Sequence, residues 1–240
     1  MELGLNGKVA LITGGSEGIG KATASSMASE GAHVIICARR SDVLDQAAKD
    51  IKLVSGFEIR TIQADVSQTG QIEELFNKII EIYGRVDILV NNAAAGRGKD
   101  RVPVTELEET DWHRVLDVKL NGSFYASKAA AQHMVKQGEG GSIIMISSIT
   151  GKLHGAYTAA YTVANIGLQG LAGCLSKELG PYNINVNAIC PGSVAGERIE
   201  RVIRDEAASR SVSPDDVRTS FQRQVSMRTF VDAADITGMI

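Results

Sequence analysis

"KVALITGGSEGIGKATA" (residues 8–24) runs from a continuous apolar segment through a glycine-rich turn into a helical pattern. The apolar part, "KVALIT" (8–13), reads as a strand buried on both faces. The turn, "TGGSEGIG" (13–20), spaces Gly14, Gly18 and Gly20 as G-x-x-x-G-x-G. Glycine permits a tight turn and a close approach of backbone to ligand. The following helix presents free N–H groups and the positive end of its dipole to an anion. A glycine triplet alone is weak, but strand, loop and helix in this order point to a dinucleotide pyrophosphate. Gly14, Ser16, Glu17, Gly18, Ile19 and Gly20 are therefore the candidate cofactor contacts of this loop.

The same alternation continues outward. "HVIICA" (33–38), "EIRTIQA" (58–64), "DILVNN" (87–92), "SIIMIS" (142–147) and "INVNAI" (184–189) read as further strands. Helical patterns lie near 18–29, 42–54, 70–83, 111–136 and 157–179. Strands alternating with helices imply right-handed crossovers and a parallel sheet covered on both sides. The expected fold is α/β: a Rossmann-type doubly wound parallel sheet in three α/β/α layers, forming one domain over residues 1–240. Residues 196–222 ("GERIERVIRDEAASRSVSPDDVRTSFQ") are charged and helical, too long for a simple connection. They predict a small helical substrate lid, with Ile199, Val202 and Ile203 facing inward.

Composition bounds the class. The chain has 240 residues, 44% hydrophobic and 22% charged, with a formal net charge of -3. It offers no global attraction to nucleic acid or anionic membranes. No apolar run is long enough for a membrane span, and the first residues lack the pattern of a secretory signal. Cys37, Cys174 and Cys190 form an odd set without metal-ligand spacing. They read as buried thiols in a reducing compartment, and the expected location is cytoplasmic, with no metal.

The end of the second strand bears on cofactor choice. An acidic residue there would bond a ribose 2′-hydroxyl, and an arginine would accept a 2′-phosphate. Here the text is "CARRSD" (37–42). Arg39, a bidentate phosphate donor, favours NADP. Glu17, whose charge would repel a nearby phosphate, leaves NAD open.

Further motifs are "ADV" (64–66), "NNAA" (91–94), "SIIMISS" (142–148) and "PG" (191–192). With the glycine loop, they make the chain resemble the short-chain dehydrogenase/reductase family over nearly its whole length. The resemblance implies hydride transfer between a nicotinamide and a carbonyl or alcohol carbon. It implies adenine contact by Asp65, cofactor contact by Val66 and Asn92, and a loop at Pro191 and Gly192 that closes on the nicotinamide. It also implies a further helix and strand after "DITGMI" (235–240).

In the family a tyrosine exchanges the proton, a serine holds the substrate oxygen, and a lysine lowers the tyrosine's pKa and binds ribose. By motif the tyrosine is Tyr161 and the serine Ser148. Ser147 would point the other way on an extended strand, and Tyr157 reads as lining the substrate pocket. The lysine position, one helical turn after Tyr161, holds Asn165. The family's fourth active-site residue is an asparagine on the preceding long helix. In "WHRVLDVKLNG" (112–122) that position holds Lys119. Asparagine and lysine are exchanged between the two helices.

The exchange matters because a free tyrosine titrates near pH 10. Bringing it toward neutrality takes roughly 4 kcal/mol, which a unit charge at about 4 Å and an effective dielectric of about 20 supplies. A neutral amide does not. The expectation is that Lys119 restores the missing ammonium while Asn165 bonds the ribose hydroxyls. The alternative is a surface lysine and a non-catalytic dinucleotide-binding subunit. Nothing suggests a hydrolase: no Gly-x-Ser-x-Gly elbow surrounds Ser148, and His33, His113, His133 and His154 form no triad pattern. His154, between serine and tyrosine, is a candidate substrate contact.

The loop "AGRGKDRVP" (95–103) carries Arg97, Lys99 and Arg101, which would either greet an anionic substrate or be solvated. The expected partner is a small carbonyl or alcohol. Alanine- and glycine-rich helices ("ASKAAAQHM", "NIGLQGLAG") permit close packing, and the resemblance implies a homotetramer.

Overall fold

The computed structural model describes residues 3–96 and 98–240, Ser209 by its backbone alone. Six strands form one sheet: β1 (Val9–Thr13), β2 (His33–Ala38), β3 (Arg60–Gln63), β4 (Ile88–Asn91), β5 (Gly141–Ile146) and β6 (Ile184–Ile189). All pairs are parallel, in the order β3-β2-β1-β4-β5-β6. The order reverses between β1 and β4, so the crevice between their carboxyl ends is where a ligand belongs.

The strands are apolar throughout because each supplies two cores. Val9 and Leu11 point to one face, with Ile35, Leu89, Ile143 and Met145. Helices α3 (Thr69–Tyr83), α5 (Gly122–Gln137) and α6 (Ala159–Leu179) cover it through Phe76, Met134 and Leu168. Ala10 and Ile12 point to the other, with Ile36, Val90 and Ile144. There α1 (Gly18–Ser29), α2 (Ser41–Ser55) and α9 (Ala233–Thr237) supply Met27, Ile51 and Ile236. The three-layer α/β/α architecture follows from that division. Ile35 and Leu89 are fully buried, and truncating either to alanine would cost about 2–5 kcal/mol.

Three differences from the sequence reading matter. The pattern at 111–136 is not one regular helix. It is α4 (Glu109–Leu116) and α5 joined by a wide π turn, Asp117–Asn121, closed by the Gly122 N–H on the Asp117 carbonyl. Apolar periodicity cannot reveal one inserted residue. Such turns recur at functional sites, and this one contains Lys119. It packs tightly: a Cβ on Gly122 would lie 2.7 Å from the Val66 side chain.

Residues 196–222 form a helical pair, α7 (Glu197–Arg210) and α8 (Pro214–Arg223). Ile203, Ala207 and Val217 make a small core of their own, with Ile199, Phe221 and Phe230 against it. Val202, expected to face inward, is only half-buried. The cysteines also correct the reading: Cys37 is buried and its thiol pushed up to about 12 by desolvation, but Cys174 is exposed on α6 and Cys190 half-buried. Among the described residues no helix is long and apolar enough to cross a membrane, and no cluster of three or more His, Cys, Asp or Glu could hold a metal.

Candidate active site

The crevice between β1 and β4 is shaped by side chains that hold the glycine loop open. Thr13 Oγ1 accepts from the N–H groups of Asn92 and Ala93 at 3.0 and 3.1 Å. Asn92 Nδ2 donates to the carbonyls of Thr13 and Gly14 at 3.1 and 2.9 Å. Asn92, expected as a cofactor contact, thus has its amide engaged in clamping the loop. Gly18 has φ +54° with open space where a Cβ would stand, and a Cβ on Gly20 would lie 2.4 Å from Asn92 Nδ2. Glu17, before α1, makes no side-chain cap to the helix, so the first-turn N–H groups are left to an external acceptor. An uncapped helix behind a loop that only glycine can form fits a dinucleotide pyrophosphate. Ser16 is buried in this loop, and Ile19 packs against the core behind it.

At the tip of β2, Glu17 and Arg40 pair at 3.3 Å, both exposed. The carboxylate that opposed a phosphate therefore has a cation beside it. Arg39 is left to line a groove of about 320 Å³ with Ile62, Ala64, Asp65 and Gln71. Asp65 is folded into a turn, its Oδ1 accepting from the Ser67 N–H at 3.0 Å and hydroxyl at 2.7 Å. Val66 beside it is buried. On the far side of the crevice, the Pro191 carbonyl accepts from the Ile149 N–H at 2.9 Å, tying the Pro191–Gly192 loop to the serine segment.

The two serines part as an extended chain requires. Ser147 turns inward, donating to the Asn165 carbonyl at 2.9 Å and accepting from Gln169 at 3.2 Å. Ser148 turns to the crevice, where its hydroxyl accepts from the Thr150 N–H at 3.3 Å and helps to lower the Tyr161 phenol. Lys119 is only 4% exposed. Its Nζ donates to the Ile146 carbonyl at the end of β5 at 2.9 Å and stands 5.9 Å from the Tyr161 ring centre. Burial pushes the phenol up, but the Lys119 charge, then Arg198, Ser148 and Arg101, outweigh it, and the phenol lies below its ordinary value. Burial lowers the Lys119 ammonium as well, opposed by Tyr161 and reinforced by Arg198.

Asn165 is fully buried. Its Nδ2 donates back to the Tyr161 carbonyl at 2.7 Å, and its Oδ1 has no hydrogen-bond partner among the described residues. The amide is turned onto its own helix. Tyr157, just before α6, is exposed with φ 63°, an uncommon conformation for a bulky residue. His154 is exposed, 3.4 Å from the Thr150 carbonyl. Arg97 lies outside the described residues.

Sequence reasoning missed one residue. Arg198, at the start of α7, brings its Cζ 5.8 Å from the Tyr161 ring centre, and Arg101 approaches to 5.4 Å. Nothing in a segment so rich in arginine distinguishes Arg198, because only the folding back of α7 gives it a neighbour on α6.

The parallel sheet, its glycine loop and the crevice at the strand reversal define a dinucleotide-binding protein of the Rossmann type. The short chain dehydrogenase profile matches residues 8–207, and the chain belongs to that family of nicotinamide-dependent oxidoreductases. The L-rhamnose-1-dehydrogenase of Scheffersomyces stipitis is 39% identical over 204 residues, 84% of this chain and 78% of that protein. The NAD+-bound xylitol dehydrogenase superposes with TM-score 0.90 at 30% identity, covering 98% of this chain and 91% of its own. The actinorhodin polyketide ketoreductase with NADPH also gives TM-score 0.90, at 31% identity over 97% of this chain and 88% of its own. Both nicotinamide cofactors thus occur among the structural relatives.

Proposed function

We propose that this chain interconverts a carbonyl and a secondary alcohol with NADP as preferred cofactor, and that Lys119 supplies the cation that Asn165 cannot. The observation that carries the reading is the buried Lys119 Nζ 5.9 Å from the Tyr161 ring. When bound, the nicotinamide supplies or takes up the hydride. Tyr161 exchanges the proton with the substrate oxygen, and Ser148 hydrogen-bonds that oxygen. Lys119 favours the phenolate electrostatically, which makes proton exchange faster near neutral pH. Asn165 holds the helix geometry beneath the phenol through its bond to the Tyr161 carbonyl. The glycine loop, Asp65, Val66, Pro191 and Gly192 border the dinucleotide.

NADP is favoured over NAD because Arg40 accompanies the Glu17 charge and Arg39 faces the groove without it. The pair α7–α8 acts as a substrate lid on a single cytoplasmic domain. Phe124 of α5 and Val163 and Ile166 of α6, each more than 40% exposed, support a homotetramer built on those helices.

The test is NADPH consumption over a panel of ketones, with Tyr161→Phe beside the parent. Turnover should fall by about 10²–10⁴-fold in the variant, the usual contribution of a general acid–base, while NADPH still binds. Tight NADPH binding with no turnover by the parent would favour the non-catalytic subunit instead.

A further inference from the structure

Cation–ring contacts occur roughly once per 70–80 residues, so a chain of this length would scatter about three. Here Lys119, Arg101 and Arg198 all converge on one ring, at 5.9, 5.4 and 5.8 Å from its centre. Lys119 has a place in the proton chemistry. The two guanidiniums do not, and they come from separate segments.

Their acidic neighbours are occupied elsewhere. Asp100, beside Arg101, pairs with Arg114 at 2.6 Å, and Arg114 also holds Asp111 at 3.0 Å. Glu197, beside Arg198, pairs with Arg204 at 2.6 Å, and Glu200 with Arg218 at 2.5 Å. Among the described residues neither Arg101 nor Arg198 has a carboxylate partner. Arg198 also sits in the first turn of α7, where the helix dipole disfavours a cation. Helix stability therefore does not account for its position. Three like charges around one phenol repel each other, and an anion among them removes that repulsion.

We infer that Arg101 and Arg198 form an anion subsite beside Tyr161, and that the substrate is an oxo acid or hydroxy acid whose carboxylate they bind. This rests on the oxidoreductase reading for the reacting carbon, while the subsite itself stands on the two guanidiniums. A planar fork suits a carboxylate, and α7 already holds Arg198 beside the ring.

The full chain with NADPH provides the test. Straight-chain carboxylates from propionate to hexanoate, which cannot be reduced, are titrated into the complex by calorimetry beside the corresponding primary amides. Saturable carboxylate binding is expected, weaker by at least about tenfold in Arg101→Gln and in Arg198→Gln, the lower bound for a charged hydrogen bond. Lysine at either position should recover part of the loss. Equal binding of acid and amide, no saturable carboxylate binding, or unaltered binding in both glutamine variants overturns the subsite. Turnover then separates it from the oxidoreductase reading. Straight-chain oxo acids are compared with their methyl esters, and preference for the acids supports the inference. Acids and esters reduced alike overturn it and leave the oxidoreductase standing. Carboxylates bound but no oxo compound reduced overturns the oxidoreductase and leaves the anion subsite.

Discussion

Lys119 and Tyr161 meet across a helix break: the ammonium leaves the π turn Asp117–Asn121 and reaches to 5.9 Å from the centre of a ring carried by α6. The Ile146 carbonyl steadies the nitrogen from the end of β5. A buried ammonium with one carbonyl partner is costly, so its position has an energetic burden that proximity to the phenol explains.

Lys119→Met should slow alcohol oxidation near neutral pH. At about 6 Å and an effective dielectric of about 20, the lost attraction is about 3 kcal/mol, or roughly two decades of rate. The sign follows from the chemistry. Oxidation needs the phenolate, and Lys119 holds the phenol below its ordinary value together with Arg198 and Arg101. Removing it moves the rising limb of the rate profile to higher pH. Superimposable profiles for parent and variant from about pH 6 to 9 would end the idea that the cation has been relocated.

Arg39→Gln should weaken NADPH and spare NADH. Arg39 lines the groove beside Asp65, and a lost charged hydrogen bond corresponds to at least about tenfold. Michaelis constants for both cofactors check it. A parallel change for the two would mean that Arg39 does not meet a 2′-phosphate.

Gly20→Ala should abolish dinucleotide binding with a modest loss of stability. The added methyl would meet Asn92 Nδ2 at 2.4 Å and the Gly14 carbonyl at 2.5 Å. Crowding of this kind costs about 1–3 kcal/mol, and it falls on the clamp that keeps the loop open. Fluorescence titration with NADPH and thermal melting separate the two effects; unchanged affinity would show that the loop does not contact the dinucleotide.

Asp87 anchors the sheet and makes its stability pH-dependent. Its carboxylate takes a two-pronged bond from Arg85, with Nη2 at 2.6 Å, and accepts the Val9 N–H at 2.9 Å. Burial pushes the carboxyl up, but Arg85 and Val9 outweigh it and hold it below the usual range. A depressed folded value stabilises above the unfolded pKa of about 4 and is lost as pH falls through the folded one. Asp87→Asn should therefore cost about 1.5–3 kcal/mol at neutral pH, with the gap to the parent closing in acid. Urea unfolding at neutral pH and below about pH 4 measures it, and a constant gap would refute it.

Much of the fold was legible because its signals are local. Apolar runs such as Val34–Cys37 need no alternation when both faces are covered, and the glycine spacing after β1 identifies a loop with a helix behind it. Motif spacing pointed to Ser148 and Tyr161, and Ser148 is among the groups that lower the Tyr161 phenol. Asn165 was less legible. One helical turn predicts a shared face with Tyr161, yet the short amide bonds back to its own helix instead of reaching the crevice. In residues 196–222 the helical spacing led to Ile203 and Ile199, which do pack inward, but the core they join is a small one shared by α7 and α8, which the spacing alone does not show.

By itself, the sequence determined the order of strands and helices, the glycine-rich turn after β1 and the presence of Lys119 and Asn165 where they stand, because hydrophobic period, glycine spacing and residue identity are written along the chain. Tertiary structure decided where the charges went. One inserted residue at Asp117–Asn121 reorients Lys119, and the folding back of α7 brings Arg198 over Tyr161. Electrostatic effects depend on separation through space and on burial, and neither is a property of distance along the chain.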